Sequence, residues 1–152
     1  MAKASVFDVA KALLSFESMT HKKLQKLCYY AQAWHLALLN KPLFEERIEA
    51  WVHGPVSPDL YQKYKEYGWQ DIDLDVDELP DNIDGKSKEL LEEVFRVYGK
   101  YDGDELESLT HEEDPWEKTR GDLAPIEPSR KEINHKLMRN FYLELYEEGQ
   151  ND

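Results

Sequence analysis

A chain of 152 residues with 41% hydrophobic content can bury one core and is too short for two, so residues 1–152 are expected to form a single domain. The lone cysteine, Cys28, excludes an internal disulfide, and no apolar run reaches the roughly 18 residues a membrane helix needs; Met1-Ala2-Lys3-Ala4 leads into an amphipathic pattern rather than an apolar signal region, which points to the cytoplasm. The net charge of −13 is uneven, with 9 Lys/Arg against 7 Asp/Glu in residues 1–68 and 10 against 25 in the remainder, which disfavours nucleic acid and anionic lipid; a basic protein partner fits it better, although from charge alone a surface that keeps the protein soluble is the first reading.

Along the chain, Ser5 with Asp8 forms a capping arrangement for a first helix to about Phe16, with Val6, Val9, Ala10, Leu13 and Leu14 at helical spacing. Thr20 caps a second helix to about Leu39, whose apolar stripe is Leu24, Leu27, Cys28, Ala31 and Leu38. Asn40-Lys41-Pro42 ends it. Residues 47–53 are rich in strand formers and predict a short extended element broken by Gly54-Pro55. Ser57-Pro58 then supplies a cap and an N1 proline for a third helix, closed by Gly68.

Residues 69–85 read as an acidic loop, because four aspartates in Asp71-Ile72-Asp73-Leu74-Asp75-Val76-Asp77 would repel one another along a strand edge. A helix follows from Ser87 to Tyr98, ended by Gly99, and another from Asp102-Gly103-Asp104 to about Leu109. Asp114-Pro115-Trp116 opens a further turn, and Pro128-Ser129 precedes a terminal helix to about Glu148 with Ile133, Leu137, Phe141 and Leu145 on its inner face. The expected fold is mainly α, a compact helical domain with one short extended element near residues 47–53.

Motifs for catalysis are missing: there is no nucleophile elbow, P-loop, dinucleotide fingerprint or zinc-binding histidine pair. No two of His21, His35, His53, His111 and His135 have the spacing of helical metal ligands, so no catalytic residue, cofactor or metal is expected. His111 beside Glu112, Glu113 and Asp114 is one catalytic alternative, for which a solvated, capped helix end is the much better account. Cys28 with His35, two turns away, is another, and a buried small hydrophobe is the better account of Cys28. Lys22, Lys23 and Lys26 beside His21 give the first two helices a faint likeness to a helix-turn-helix pair, but the outer face lacks Arg or Asn base readers. Tyr30 and Trp34, one turn apart, can share a face; core packing is the first reading for such aromatics and a partner groove the second.

Three landmarks go together: Lys23-Leu24-Gln25-Lys26-Leu27 with Tyr29-Tyr30-Ala31-Gln32 and Trp34-His35; Trp51-Val52-His53-Gly54-Pro55-Val56; and Leu109-Thr110-His111 with Pro115-Trp116. In these the chain resembles the Panacea-domain family of SocA-like antitoxins of bacteria and their prophages, with Cys28 standing where a larger aliphatic is usual. The resemblance implies a non-enzymatic antitoxin that neutralises a toxin encoded nearby. Direct occlusion is the first mechanism it implies, and delivery of the toxin to a cellular ATP-dependent protease the alternative. The motif and partner-binding candidates are Tyr29, Tyr30, Trp34, His35, Trp51, His53, Gly54, Pro55, Tyr61, His111, Pro115 and Trp116.

Overall fold

The computed structural model describes residues 4–73, 80 and 82–150. Among them are seven α-helices: α1 (Val6–Phe16), α2 (His21–Leu39), α3 (Pro58–Tyr64), α4 (Gly85–Tyr98), α5 (Gly103–His111), α6 (Asp114–Arg120) and α7 (His135–Gln150). Two short strands, β1 (Glu49–Trp51) and β2 (Gly54–Val56), complete the elements, so the mainly α expectation holds.

Local capping explains most boundaries. Ser5 and Asp8 form a reciprocal capping box at α1, Thr20 accepts from the Lys23 amide at α2, and Asp102 with Glu105 repeats the box at α5. Each such cap contributes about 1 kcal/mol. Ser57 caps α3 with Pro58 in the first turn, and a 3-10 turn over Lys65–Tyr67 carries the chain to Gly68. Helix α4 begins two residues before the expected Ser87, because Asp84 accepts from the Ser87 amide and makes that serine an interior residue.

Helix α2 runs through the middle of the fold, touching α1, α3, α4, α5, α7 and β2. It is buried nearly all round, including Gln25, Lys26, Gln32 and His35. Those polar side chains hold the backbone of their neighbours. Gln32 accepts from the Leu43 and Phe44 amides and donates to the Phe44 carbonyl, while Gln25 accepts from the Ser57 amide and donates to its carbonyl. The two glutamines thereby satisfy loop groups that burial would otherwise leave costly. His35 bridges the Lys41 carbonyl at 2.6 Å and Ser87 Oγ at 2.8 Å.

Four expectations are corrected. Leu38 is 41% exposed, although Leu36 and Ala37 in the same turn are buried. Gly54-Pro55 does not end an extended element; with Val56 it forms β2, paired antiparallel to β1 with Ala50 opposite Pro55. Helix α5 continues past Leu109 to His111. Helix α7 starts at His135 and turns Met138 and Tyr142 inward, whereas Ile133 lies in the extended segment before it. That segment runs along the other side of β1: the Ala50 amide donates to the Lys131 carbonyl and the Ile133 amide to the Ile48 carbonyl.

Within the expected acidic loop, residues 74–79 and 81 lie outside the described residues, Asp75 and Asp77 among them. Ile72 is fully buried and pairs antiparallel with Met19, its amide donating to the Met19 carbonyl at 2.7 Å. At this point the alternation is that of a half-buried strand, and Asp71 and Asp73 face solvent.

Candidate functional site

The predicted site residues fall into two groups. The first is a buried tyrosine cluster around Glu113, at the start of α6. Tyr30 donates to Glu113 Oε1 at 2.6 Å, Tyr142 donates to the same oxygen at 2.9 Å, and the Tyr29 and Tyr142 hydroxyls lie 3.0 Å apart. Tyr30 stacks on Tyr98 with ring centroids 4.0 Å apart, and the Tyr98 hydroxyl accepts from the Trp34 indole N–H. Tyr30 and Trp34 therefore do not stack on each other: Tyr30 lies flat on Tyr98, and both meet the Tyr142 ring. Burial raises Glu113 above the ordinary carboxylate range, with Glu112 adding to it and the two tyrosine donors opposing. Tyr29, Tyr30 and His35 belong to this interior, and Trp34 is half-buried at its rim.

The second group surrounds the β1–β2 hairpin. Val52 and His53 make the turn, and Gly54 adopts φ +109°, a conformation that favours glycine. Beneath it lies Lys26, 1% exposed, whose ammonium donates to the Pro55 carbonyl at 3.2 Å. The indole of Trp116 donates to the Trp51 carbonyl at 2.7 Å, and His111 stacks on Trp116 at 3.8 Å. Tyr61 packs edge-on against Trp51, and Pro115 is buried at the start of α6. Trp51, His53, Gly54, Pro55, Tyr61, His111, Pro115 and Trp116 are thus one neighbourhood, assembled from β1, β2, α3, α5 and α6.

Charge in this neighbourhood is mostly committed. Lys22 pairs with Asp104 at 2.6 Å and Glu107 at 2.7 Å, and Glu107 also meets His53 Nδ1 at 3.2 Å. Lys23 donates to the Gly99 carbonyl at 2.6 Å. The basic cluster at the start of α2 is therefore spent inside the fold rather than offered as a phosphate-binding face. Burial lowers His111, and its Nε2, like His21 Nδ1, is buried without a hydrogen-bond partner among the described residues. No three His, Cys, Asp or Glu side chains among the described residues are placed to hold a metal ion.

Lys26 carries a measurable consequence. Burial pushes its ammonium down to about 7, with Lys22 adding and Glu107 opposing. An unfolded lysine near 10.5 holds its proton more tightly, so stability rises as pH climbs from about 7 towards 10.5, and below about 7 the penalty is complete. Lys26→Met is expected to gain about 1–3 kcal/mol at pH 6, the gain shrinking towards pH 10. Urea unfolding at both pH values checks this; a variant no more stable than the parent at pH 6 would contradict it.

Sequence reasoning missed Lys26, Glu113, Tyr142 and Arg120. Arg120 donates to the carbonyls of Ala50, Ala124 and Glu127, and so ties the loop after α6 back to β1. The available signal was a long helix with polar residues on every face, which amphipathic reading assigns to solvent.

The comparison with protein families matches the antitoxin SocA-like, Panacea domain over residues 24–117, well over half the chain. This chain belongs to the SocA-like antitoxin, Panacea-domain family. No curated protein and no solved structure matches it. The matched Panacea stretch runs from α2 into α6 and contains Lys26, Tyr30, the hairpin, Thr110, Glu113 and Trp116. Helices α1 and α7 of this Panacea protein lie outside the match, although α7 supplies Tyr142 to the core. Among the described residues no helix is long and apolar enough to cross a membrane.

Proposed function

We propose that this protein is a non-enzymatic antitoxin that binds a cognate toxin encoded nearby and neutralises it by covering its working surface. The observation that carries the reading is the Panacea-domain match over residues 24–117. Two features of the geometry support binding over catalysis. The polar groups around the hairpin are largely consumed in holding its backbone, through Lys26, Arg120 and the indole of Trp116. His111 is stacked on an indole rather than hydrogen-bonded to a carboxylate that could orient it as a base.

Of the twelve candidates, Trp34, Trp51, His53, Tyr61 and His111 keep solvent-facing surface, and these are the residues a partner can reach. The acidic excess of residues 69–152 adds a long-range component, because opposite charge speeds encounter with a basic toxin. Co-expression with the adjacent open reading frame tests the whole reading: growth is restored and the two chains co-purify. Cells that grow equally well with and without this protein, or a pair that does not co-purify, would refute it. If the toxin instead disappears only when an ATP-dependent protease is present, the outcome is delivery to the protease rather than occlusion. Stopped-flow mixing of the purified pair is expected to give an association rate that falls as salt rises; a rate indifferent to salt would remove the electrostatic component.

A further inference from the structure

Helix α7 extends past the body it packs on. Met138 and Tyr142 are buried against the core, yet every residue from 144 to 150 is exposed. Leu145 follows Tyr142 at a spacing of three and Tyr146 at four, so the face that docks on α2 continues outward in the last turns. There it is only partly covered, with Leu145 39% and Tyr146 42% exposed.

The charge at this end runs against the helix's own needs. A helix C-terminus carries a partial negative charge and is stabilised by cations. The last turns of α7 instead present exposed Glu144, Glu147 and Glu148, with no basic residue in the final turn. Departures from a local rule without compensation inside the fold are characteristic of functional surfaces. A cationic segment bearing apolar anchors would supply both the missing cover and the missing charge. A second copy of the chain would bring the same glutamates and the same net charge of −13, and an anionic membrane would be repelled.

We propose that the C-terminal turns of α7, with Leu145 and Tyr146 flanked by Glu144 and Glu148, are a docking element for a basic amphipathic segment of a protein partner. The partner's identity as the toxin rests on the antitoxin reading; the surface itself does not. The full-length protein is titrated into a fluorescently labelled amphipathic leucine–lysine peptide. Leu145→Ala/Tyr146→Ala is expected to weaken binding at least about tenfold, with helicity and the urea midpoint unchanged. Glu144→Gln/Glu148→Gln is expected to flatten the salt dependence. Trp69→Ala, which removes an 80% exposed aromatic elsewhere, is expected to leave binding unchanged. Peptide binding undiminished in the Leu145/Tyr146 variant, or weakened as much by Trp69→Ala, overturns the proposal. In the co-expression assay, loss of protection by the folded Leu145/Tyr146 variant supports α7 as the toxin contact. Failure of the wild type to protect removes the antitoxin reading, while the peptide titration still decides the surface.

Discussion

Substituting Gly54 by alanine is expected to cost about 2–6 kcal/mol of stability. Two independent penalties add. The backbone at φ +109° is strained for any residue with a Cβ, at about 1–3 kcal/mol. The added carbon would also stand 2.7 Å from Lys26 Cε and 3.1 Å from Thr110 Oγ1. Overfilling a packed site costs about 1–3 kcal/mol more, and Lys26 has no room to withdraw because it is buried along its whole length. Urea unfolding of the variant measures the sum. A double-mutant cycle with Lys26→Ala separates the parts, since removing the lysine end should shrink the loss by the packing share only. A cost below about 1 kcal/mol would mean that the hairpin rearranges freely, contrary to the close fit described.

Glu113→Ala is expected to be the next most damaging change, at about 2–4 kcal/mol. It removes the shared acceptor of Tyr30 and Tyr142 and leaves at least one buried hydroxyl without a partner. Glu113→Gln keeps an acceptor and should be milder. The pair of proteins also gives a clean pH test. Burial raises Glu113 above its ordinary value of 4.5, so the fold prefers the protonated carboxyl. Its contribution is fully present below about 4.5 and is lost as pH rises through the elevated titration. The stability of wild type relative to Glu113→Gln should therefore be greatest in acid, decline as pH rises above about 4.5 and level off once the carboxyl is fully ionised in the fold. A difference that grows with pH would show the sign to be wrong.

Much of the architecture was legible because it is local. Ser5, Thr20, Ser57-Pro58 and Asp102 act on amides three residues away, and such contacts can be read without knowing the tertiary fold. What failed depended on distant partners. Pro55 looked like a strand breaker, yet β2 lies at the edge of its small sheet, where a missing amide costs nothing, while the inner strand β1 pairs on both sides. The inner face of α7 was legible only in part: Ile133 is buried and Phe141 packs against the core, but Met138 and Tyr142 take the innermost positions of the helix. The choice is made by the extended segment that pins Ile133 beside Ile48 before the helix begins.

The candidate residues were legible as one set of motif positions, without their division into two groups being visible. Tyr29 and Tyr30 sit beside Trp34 and His35 in sequence, and nothing local says that the Tyr30 hydroxyl ends at a glutamate 83 positions away and the Tyr29 hydroxyl at Tyr142. Lys26 was read as part of a basic surface cluster, because a lysine between Gln25 and Leu27 ordinarily faces water. Only the hairpin folding over it makes it interior.

The position of Tyr142 sets the order in which the core can close. The tyrosine–Glu113 cluster joins Tyr29 to a residue 113 positions later, and α2 has more to do with α7 than with the helices adjacent to it in the chain. During synthesis, Tyr29 and Tyr30 emerge early and remain without one of their walls until α7 has left the ribosome. Contacts so far apart in sequence form slowly and late. Until α7 has been made and has docked, the central helix therefore lacks the wall that Tyr142 supplies, and that is the interval in which a newly made chain is most open to chaperones and proteases.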